Sequence, residues 1–236
     1  MLNFSCKRFS ALTLSHIYVL LLETFTRRIF MKKILTPLFL VLVVLTACGK
    51  GKKAEPPKKA GPFGIVRSSW TAETTPQDRV NRALEVRNVD IALTGSEKAT
   101  IETNKGTIVA ELYSKDAPLT VRNFIRLAEC GFYDNLIWHR YVSDFVIQGG
   151  DPLGRGTGNS GYNIQFEKNP RKHEEGVLAM ARGSDYNSAS CQFYISLKAL
   201  PNLDGEYVVF GKVHEGMDVV KQLRAQDTIR SIHISK

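Results

Sequence analysis

The chain has 236 residues, room for one sizeable core and at most two domains, and its 43% hydrophobic and 23% charged content is that of an ordinary globular protein. Its net charge of +9 is concentrated: residues 1–47 hold six Lys or Arg against Glu23 alone, while residues 48–236 hold 26 basic against 22 acidic side chains, so nucleic-acid binding is not expected. The four Cys have no C-x-x-C or metal-ligand spacing, which argues against a zinc site or a disulfide framework, so Cys130 and Cys191 are expected as buried, unpaired thiols.

In chain order, Met31-Lys32-Lys33 precedes an apolar run from Ile34 to Leu45 that is too short to span a bilayer comfortably. Leu45-Thr46-Ala47-Cys48 then resembles the bacterial lipobox, in which a small residue precedes the Cys that is lipidated and becomes the new N-terminus. The expectation is a lipoprotein signal peptide over 31–47 and a membrane anchor at Cys48, with no spanning helix needed. Gly49 in place of Asp argues against retention at an inner membrane, so the expected location is the cell envelope, periplasm-facing on the outer membrane. A second apolar run, Ala11 to Leu22, stands ahead of this complete signal, and residues 1–30 are therefore read as a start-site artefact. Lys, Pro, Gly and Ala over 48–64 make a solvated tether. Residues 65–98 form an extension with one short helix, in which Thr75 is the N-cap, Pro76 the first helical residue, and Val80 and Leu84 the apolar stripe.

The main domain is expected over 99–236. Thr100–Thr103 and Thr107–Leu112 alternate around Asn104-Lys105-Gly106 as a β-hairpin. Pro118 to Cys130 is a helix with an apolar stripe of Val121, Phe124, Ile125, Leu127 and Ala128, stopped by Gly131. Leu136 to Pro152 holds two strands and a turn. Tyr162–Phe166 alternates like a strand; Gly176–Ala181, Gln192–Ser196 and Tyr207–Val213 are strands; Met217–Arg224 is a second helix, and Ile229–Ile234 a closing strand. Many short strands and few helices point to an antiparallel barrel, whose closure removes exposed edges.

Arg140 and Gln148 stand out because a polar side chain inside an apolar strand costs desolvation energy unless it has a partner or a use. The G-x-G-x-x-G at Gly156, Gly158 and Gly161 is not a dinucleotide cradle, since Asp151-Pro152 precedes it and no helix opens within it. His139, His173, Ser190 and Asp185 supply the residue types of a nucleophilic triad, but nothing in their spacing supports one.

Taken together, Asn123-Phe124, Gly131-Phe132-Tyr133-Asp134, His139-Arg140, Asp144 to Asp151, Leu178-Ala179-Met180-Ala181, Ser190 to Ile195, Leu203-Asp204-Gly205 and Val209 to Val213 resemble the cyclophilins in order and spacing. The resemblance implies an all-β fold, an eight-stranded antiparallel closed β-barrel with two capping α-helices. It also implies peptidyl-prolyl cis/trans isomerase activity on proline-containing polypeptides without a cofactor or metal, and a monomer is expected. Matched position by position, it makes Arg140 the catalytic arginine, with Gln148 orienting it and Phe145 beside it. Val146, Tyr194 and Leu203 would wall the proline pocket, with Tyr207 beside them. Ala181, Arg182 and Gln192 would hold residues before the proline. Four positions depart from common family choices: Val146 for Met, Tyr194 for Phe, Arg182 for Asn, and Tyr207 for His. Asn202 stands where many eukaryotic members have Trp, which puts tight cyclosporin binding in doubt. The competing reading is a binding module or chaperone that holds proline segments without turning them over.

Overall fold

A computed structural model describes residues 60–236. The start-site reading of 1–30, the signal peptide at 31–47, the lipidation site Cys48 and the tether up to residue 59 lie outside the described residues. Among those described, no helix is long and apolar enough to cross a membrane.

The strands are β1 (Lys98–Thr103), β2 (Thr107–Leu112), β3 (Leu136–Ile137), β4 (Arg140–Val142), β5 (Val146–Gly149), β6 (Val177–Met180), β7 (Phe193–Ser196), β8 (Val209–Glu215) and β9 (Thr228–Ser235). They form one curled antiparallel sheet in the order β3-β9-β1-β2-β8-β6-β7-β5-β4. Nine strands replace the expected eight because Leu136–Val142 does not run as one strand. It breaks at Trp138-His139, so that β3 pairs with β9 while β4 pairs with β5. These two short strands are the ends of the sheet, and ladder pairing among the described residues does not join them. Trp138 nevertheless continues β3's course along the start of β9, donating to Asp227 O at 2.8 Å and accepting from Gln226 N at 2.8 Å.

Alternation puts Ala99, Ile101, Ile108, Ala110 and Leu112 into the main core with Phe193, Ile195 and Ile232. Helix α2 (Pro118–Glu129) packs Phe124 into that core, where its ring meets Tyr133, Phe193 and Phe210 at 5.4, 5.4 and 5.1 Å between centroids. Its N-cap residue, Ala117, offers no side-chain acceptor. Glu167 serves instead, accepting from Leu119 N at 2.8 Å and from Thr120 N and Oγ1 at 2.7 Å each. Gly131 ends the helix at φ +80°, a left-handed conformation that glycine adopts without strain. A third helix, α3 (Met217–Gln222), packs on β2.

The extension folds onto α2. Helix α1 (Pro76–Val86) starts with the expected Thr75 cap, reinforced by Thr75 N donating to Asp78 Oδ2 at 2.8 Å. Its buried face, however, is Arg79, Ala83 and Val86, one step round from the expected Val80–Leu84 stripe. Val80 and Leu84 lean on the backbone at Gly161, while Arg79 reaches the core rim and donates to Phe132 O at 2.7 Å. Arg67 spans three elements: it pairs with Asp134 and donates to Ala128 O at 2.9 Å and Ile232 O at 3.1 Å. Ala60 to Gly64, which composition assigns to the tether, leads into a bridge between Ala60 and Val66, with Phe63 and Ile65 buried.

Tyr162–Phe166 is not a strand. Its alternation is real, with Tyr162, Ile164 and Phe166 packed on the core, but it has no ladder partner. Ile164 N donates to Ala189 O and Phe166 N to the Asn187 side chain.

Candidate active site

The β4–β5 hairpin places Arg140 directly opposite Gln148, and β5–β7 pairing places Gln148 opposite Tyr194. Register therefore aligns three side chains across neighbouring strands on the outer face of the sheet. Val146, Val177, Ala179, Tyr194, Leu200 and Val209 form a second, smaller apolar cluster on that face, separate from the main core. Phe145, Ala181, Leu203 and Tyr207 pack around it half-exposed. This explains why β6 and β7 are buried at every position.

Over this floor lies a cavity of about 180 Å³ lined by Arg140, Phe145, Val146, Gln148, Ala181, Arg182, Tyr194, Leu203 and Tyr207. A second of about 180 Å³ adjoins it, sharing Gln148, Ala181 and Arg182 and adding Gln192, Gly158, Asn159 and Ser188. The Arg140 guanidinium is exposed at the rim, donating to Gln148 Oε1 at 3.2 Å and lying 5.6 Å from the Phe145 ring centre. Gln148 Nε2 donates to Gln192 Oε1 at 2.9 Å, and Gln192 Nε2 to Gly158 O at 2.8 Å. This chain fixes which end of the Gln148 amide faces the arginine. Gly150 lets the strand end approach Cys191 closely; a Cβ there would sit 2.6 Å from the Cys191 carbonyl oxygen.

The cavity therefore sets an apolar floor beside the guanidinium groups of Arg140 and Arg182. The family model for "Cyclophilin type peptidyl-prolyl cis-trans isomerase/CLD" matches residues 98–235. The chain belongs to the cyclophilin-type peptidyl-prolyl cis-trans isomerases. A peptidyl-prolyl cis-trans isomerase of Helicobacter pylori (strain ATCC 700392 / 26695) is 43% identical over 158 residues, covering 65% of this chain and 95% of that protein. Peptidyl-prolyl cis-trans isomerase B of Bacillus subtilis (strain 168) is 44% identical over 126 residues, covering 52% and 87%. Among solved structures, a Cryptosporidium parvum cyclophilin crystallised in the presence of the dipeptide Ala-Pro superposes with a TM-score of 0.56 at 34% identity, covering 59% of this chain and 99% of that one. The protein is a peptidyl-prolyl cis-trans isomerase by these relationships.

In this cyclophilin the residues that the resemblance singles out line one continuous groove, Gln192 entering through the adjoining cavity. Asn202 does not line it. Replacing Phe by Tyr at 194 buries a hydroxyl, which must find a partner. It meets His173 Nε2 at 3.0 Å, and His173 Nδ1 lies 3.3 Å from Asp204 Oδ1. Burial pushes the Tyr194 hydroxyl well up and the His173 imidazole down, the latter opposed by Asp204, so Tyr194 stays protonated and His173 neutral near pH 7. His173 thus supports the pocket wall and takes no part in a triad. Ser190 is bound to Ser160 and Tyr162, Asp185 caps a 3₁₀ turn, and neither His139 ring nitrogen has a hydrogen-bond partner among the described residues.

Arg182 also joins two loops beside the groove. Its guanidinium lies 4.1 Å from the Tyr186 ring centre and 4.8 Å from that of Tyr207, and Nε donates to Glu206 O at 2.9 Å. Tyr186 OH donates to Glu206 Oε2 at 2.7 Å, so the 182–188 and 205–207 loops are clamped together. Tyr207 in turn rests edge-on against Tyr194 at 5.9 Å. Arg182→Ala is expected to raise KM for an X-Pro peptide about tenfold, by loosening this wall, with kcat little changed. Steady-state isomerase kinetics check this; a matching fall in kcat instead would give Arg182 a part in the chemistry.

Proposed function

We propose that this cyclophilin turns over X-Pro bonds by hydrogen-bonding the imide nitrogen in the twisted state, with Arg140 as donor. Amide resonance sets a barrier of roughly 18–20 kcal/mol, and uncatalysed isomerisation takes tens to hundreds of seconds. At the top of the barrier resonance is lost and the nitrogen regains a lone pair. A guanidinium there makes a bond that the planar ground state accepts poorly, which is differential stabilisation of the transition state. Val146, Phe145, Tyr194 and Leu203 hold the pyrrolidine ring while the preceding carbonyl swings; Ala181, Arg182, Gln192 and Tyr207 hold the flanking chain. A gain of ~10⁵-fold corresponds to roughly 7 kcal/mol, within reach of one desolvated charged hydrogen bond and an oriented pocket. The observation that carries this is the Arg140 guanidinium held by Gln148 at 3.2 Å above the apolar floor. The same reading takes the curled sheet as a closed barrel with α2 and α3 as caps, since only Trp138-His139 separates its two end strands.

The cellular role we infer is assistance to the folding of exported proteins, as a monomer tethered to the periplasmic face of the outer membrane through lipidated Cys48. Residues 31–48 support it. The full chain is expected to abolish the slow prolyl phase in refolding of a proline-limited protein, and Cys48→Ser to move it from the membrane to the soluble fraction. An unaltered slow phase would leave only a binding module, and an unchanged fractionation would remove the anchor.

A further inference from the structure

The extension and the cyclophilin domain together line an open hollow of about 340 Å³ that shares no lining residue with the proline groove. Its walls are Arg87 and Asn88, immediately after α1; Asn123 and Arg126 on α2; and Tyr162, Asn163 and Ile164 from the segment following the glycine-rich loop. Among the described residues no carboxylate lines it. The cavity exists because the extension crosses α2 here, held by Arg126 Nε donating to Val89 O at 2.7 Å and Arg122 Nε to Ile91 O at 3.1 Å.

The charged groups lining this hollow are one-sided, both of them guanidinium groups. Arg126 is oriented through Nε, and its two terminal nitrogens have no acceptor among the described residues. Arg87 likewise has no ion-pair partner among them, and the Asn88 and Asn163 amides are free of hydrogen bonds there. The acceptor capacity of Asn123 is already in use: its Oδ1 takes the Tyr162 hydroxyl proton at 2.8 Å while its Nδ2 donates to Ser190 O at 2.7 Å. Burial and the neighbouring Arg122 charge push the Arg126 guanidinium down, against the opposing pull of Tyr162 and Asp90.

We propose that this cavity binds a small oxyanion, a phosphate or carboxylate group, between the Arg87 and Arg126 guanidinium groups. Guanidinium forks match both groups bidentately, and the Asn88 and Asn163 amides supply further donors. A volume of about 340 Å³ also has room for a small organic body carrying that group, since a water occupies only about 30 Å³. Arg87 and Asn88 come from the extension and Arg126 from the domain, so a bound anion ties the two together and stabilises the fold by mass action.

The test is thermal unfolding of the full chain titrated with inorganic phosphate and with succinate, against sodium chloride at matched ionic strength. The expected result is a saturable rise in Tm with either oxyanion and none with chloride. The apparent affinity should weaken about tenfold or more in Arg87→Gln, an exposed site where the substitution leaves folding and isomerase rate intact, and likewise in Arg126→Gln. Vesicles containing phosphatidylglycerol that displace phosphate would assign the site to a lipid headgroup, whereas no displacement with the phosphate response intact assigns it to a soluble ligand. An equal rise with chloride, or an unaltered phosphate response in Arg87→Gln, would overturn the proposal.

Discussion

Arg140→Ala should lower kcat/KM for an X-Pro peptide by about 10²–10³-fold, the usual consequence of removing one preorganised donor from a transition state. The unfolding transition should stay where it is. Arg140 is exposed, and its one side-chain hydrogen bond among the described residues is the 3.2 Å contact to Gln148. Losing it frees an amide oxygen that water can reach, and surface substitutions of this kind usually change stability by about 0.5 kcal/mol or less. Gln148 remains tied to Gln192, so the rest of the groove keeps its shape. A rate assay and a thermal melt on the same preparation check both halves; a rate loss accompanied by a large fall in Tm would make Arg140 structural.

Phe124→Ala should cost about 3–5 kcal/mol, a large share of the roughly 5–15 kcal/mol that holds a domain of this size together. Phe124 is fully buried and its ring meets three others. Those neighbours cannot easily collapse into the space it would leave. Tyr133 is anchored by its hydroxyl on Cys191 O at 3.1 Å, Phe193 is fixed in β7, and Phe210 in β8. The cavity would open directly beneath the groove, because Phe193 faces inward where the next residue, Tyr194, faces the candidate groove. Urea denaturation should show a lower midpoint with an unchanged m-value. A loss below about 1 kcal/mol would mean that the aromatic cluster repacks freely.

The part of the site legible in the sequence is the part made locally. Arg140 and Gln148 attract notice as polar residues in apolar company, and the tight hairpin between them brings them into register across one strand pair. Ala181, Gln192 and Tyr194 reach the same groove through the β6–β7–β5 pairing and Leu203 from the 3₁₀ turn Pro201–Leu203, neither of which leaves a local trace in the chain; only the family resemblance connects them beforehand. His173 was not legible as a support for the pocket, although a tyrosine at 194 signals that some buried partner must exist. The cap of α2 is a similar case: Ala117 shows that a local cap is missing, but not that Glu167, 47 residues beyond Thr120, supplies one. The strand reading of Tyr162–Phe166 fails because alternation reports which side chains face the core, not whether a neighbouring ladder is available. The cap of helix α1 is legible, yet its buried face is not, because an arginine able to reach a backbone carbonyl displaces a leucine from the interface.

The measurement that tests the mechanism most directly compares binding with turnover for one Ala-Pro peptide. The dissociation constant and the NMR-detected cis/trans exchange rate would be determined for the wild-type chain and for Arg140→Ala. A donor that acts in the twisted state predicts nearly equal dissociation constants and an exchange rate reduced by about two to three orders of magnitude in the variant. Parallel loss of affinity and exchange by the same factor would contradict it, because Arg140 would then hold the planar ground state as tightly as the transition state.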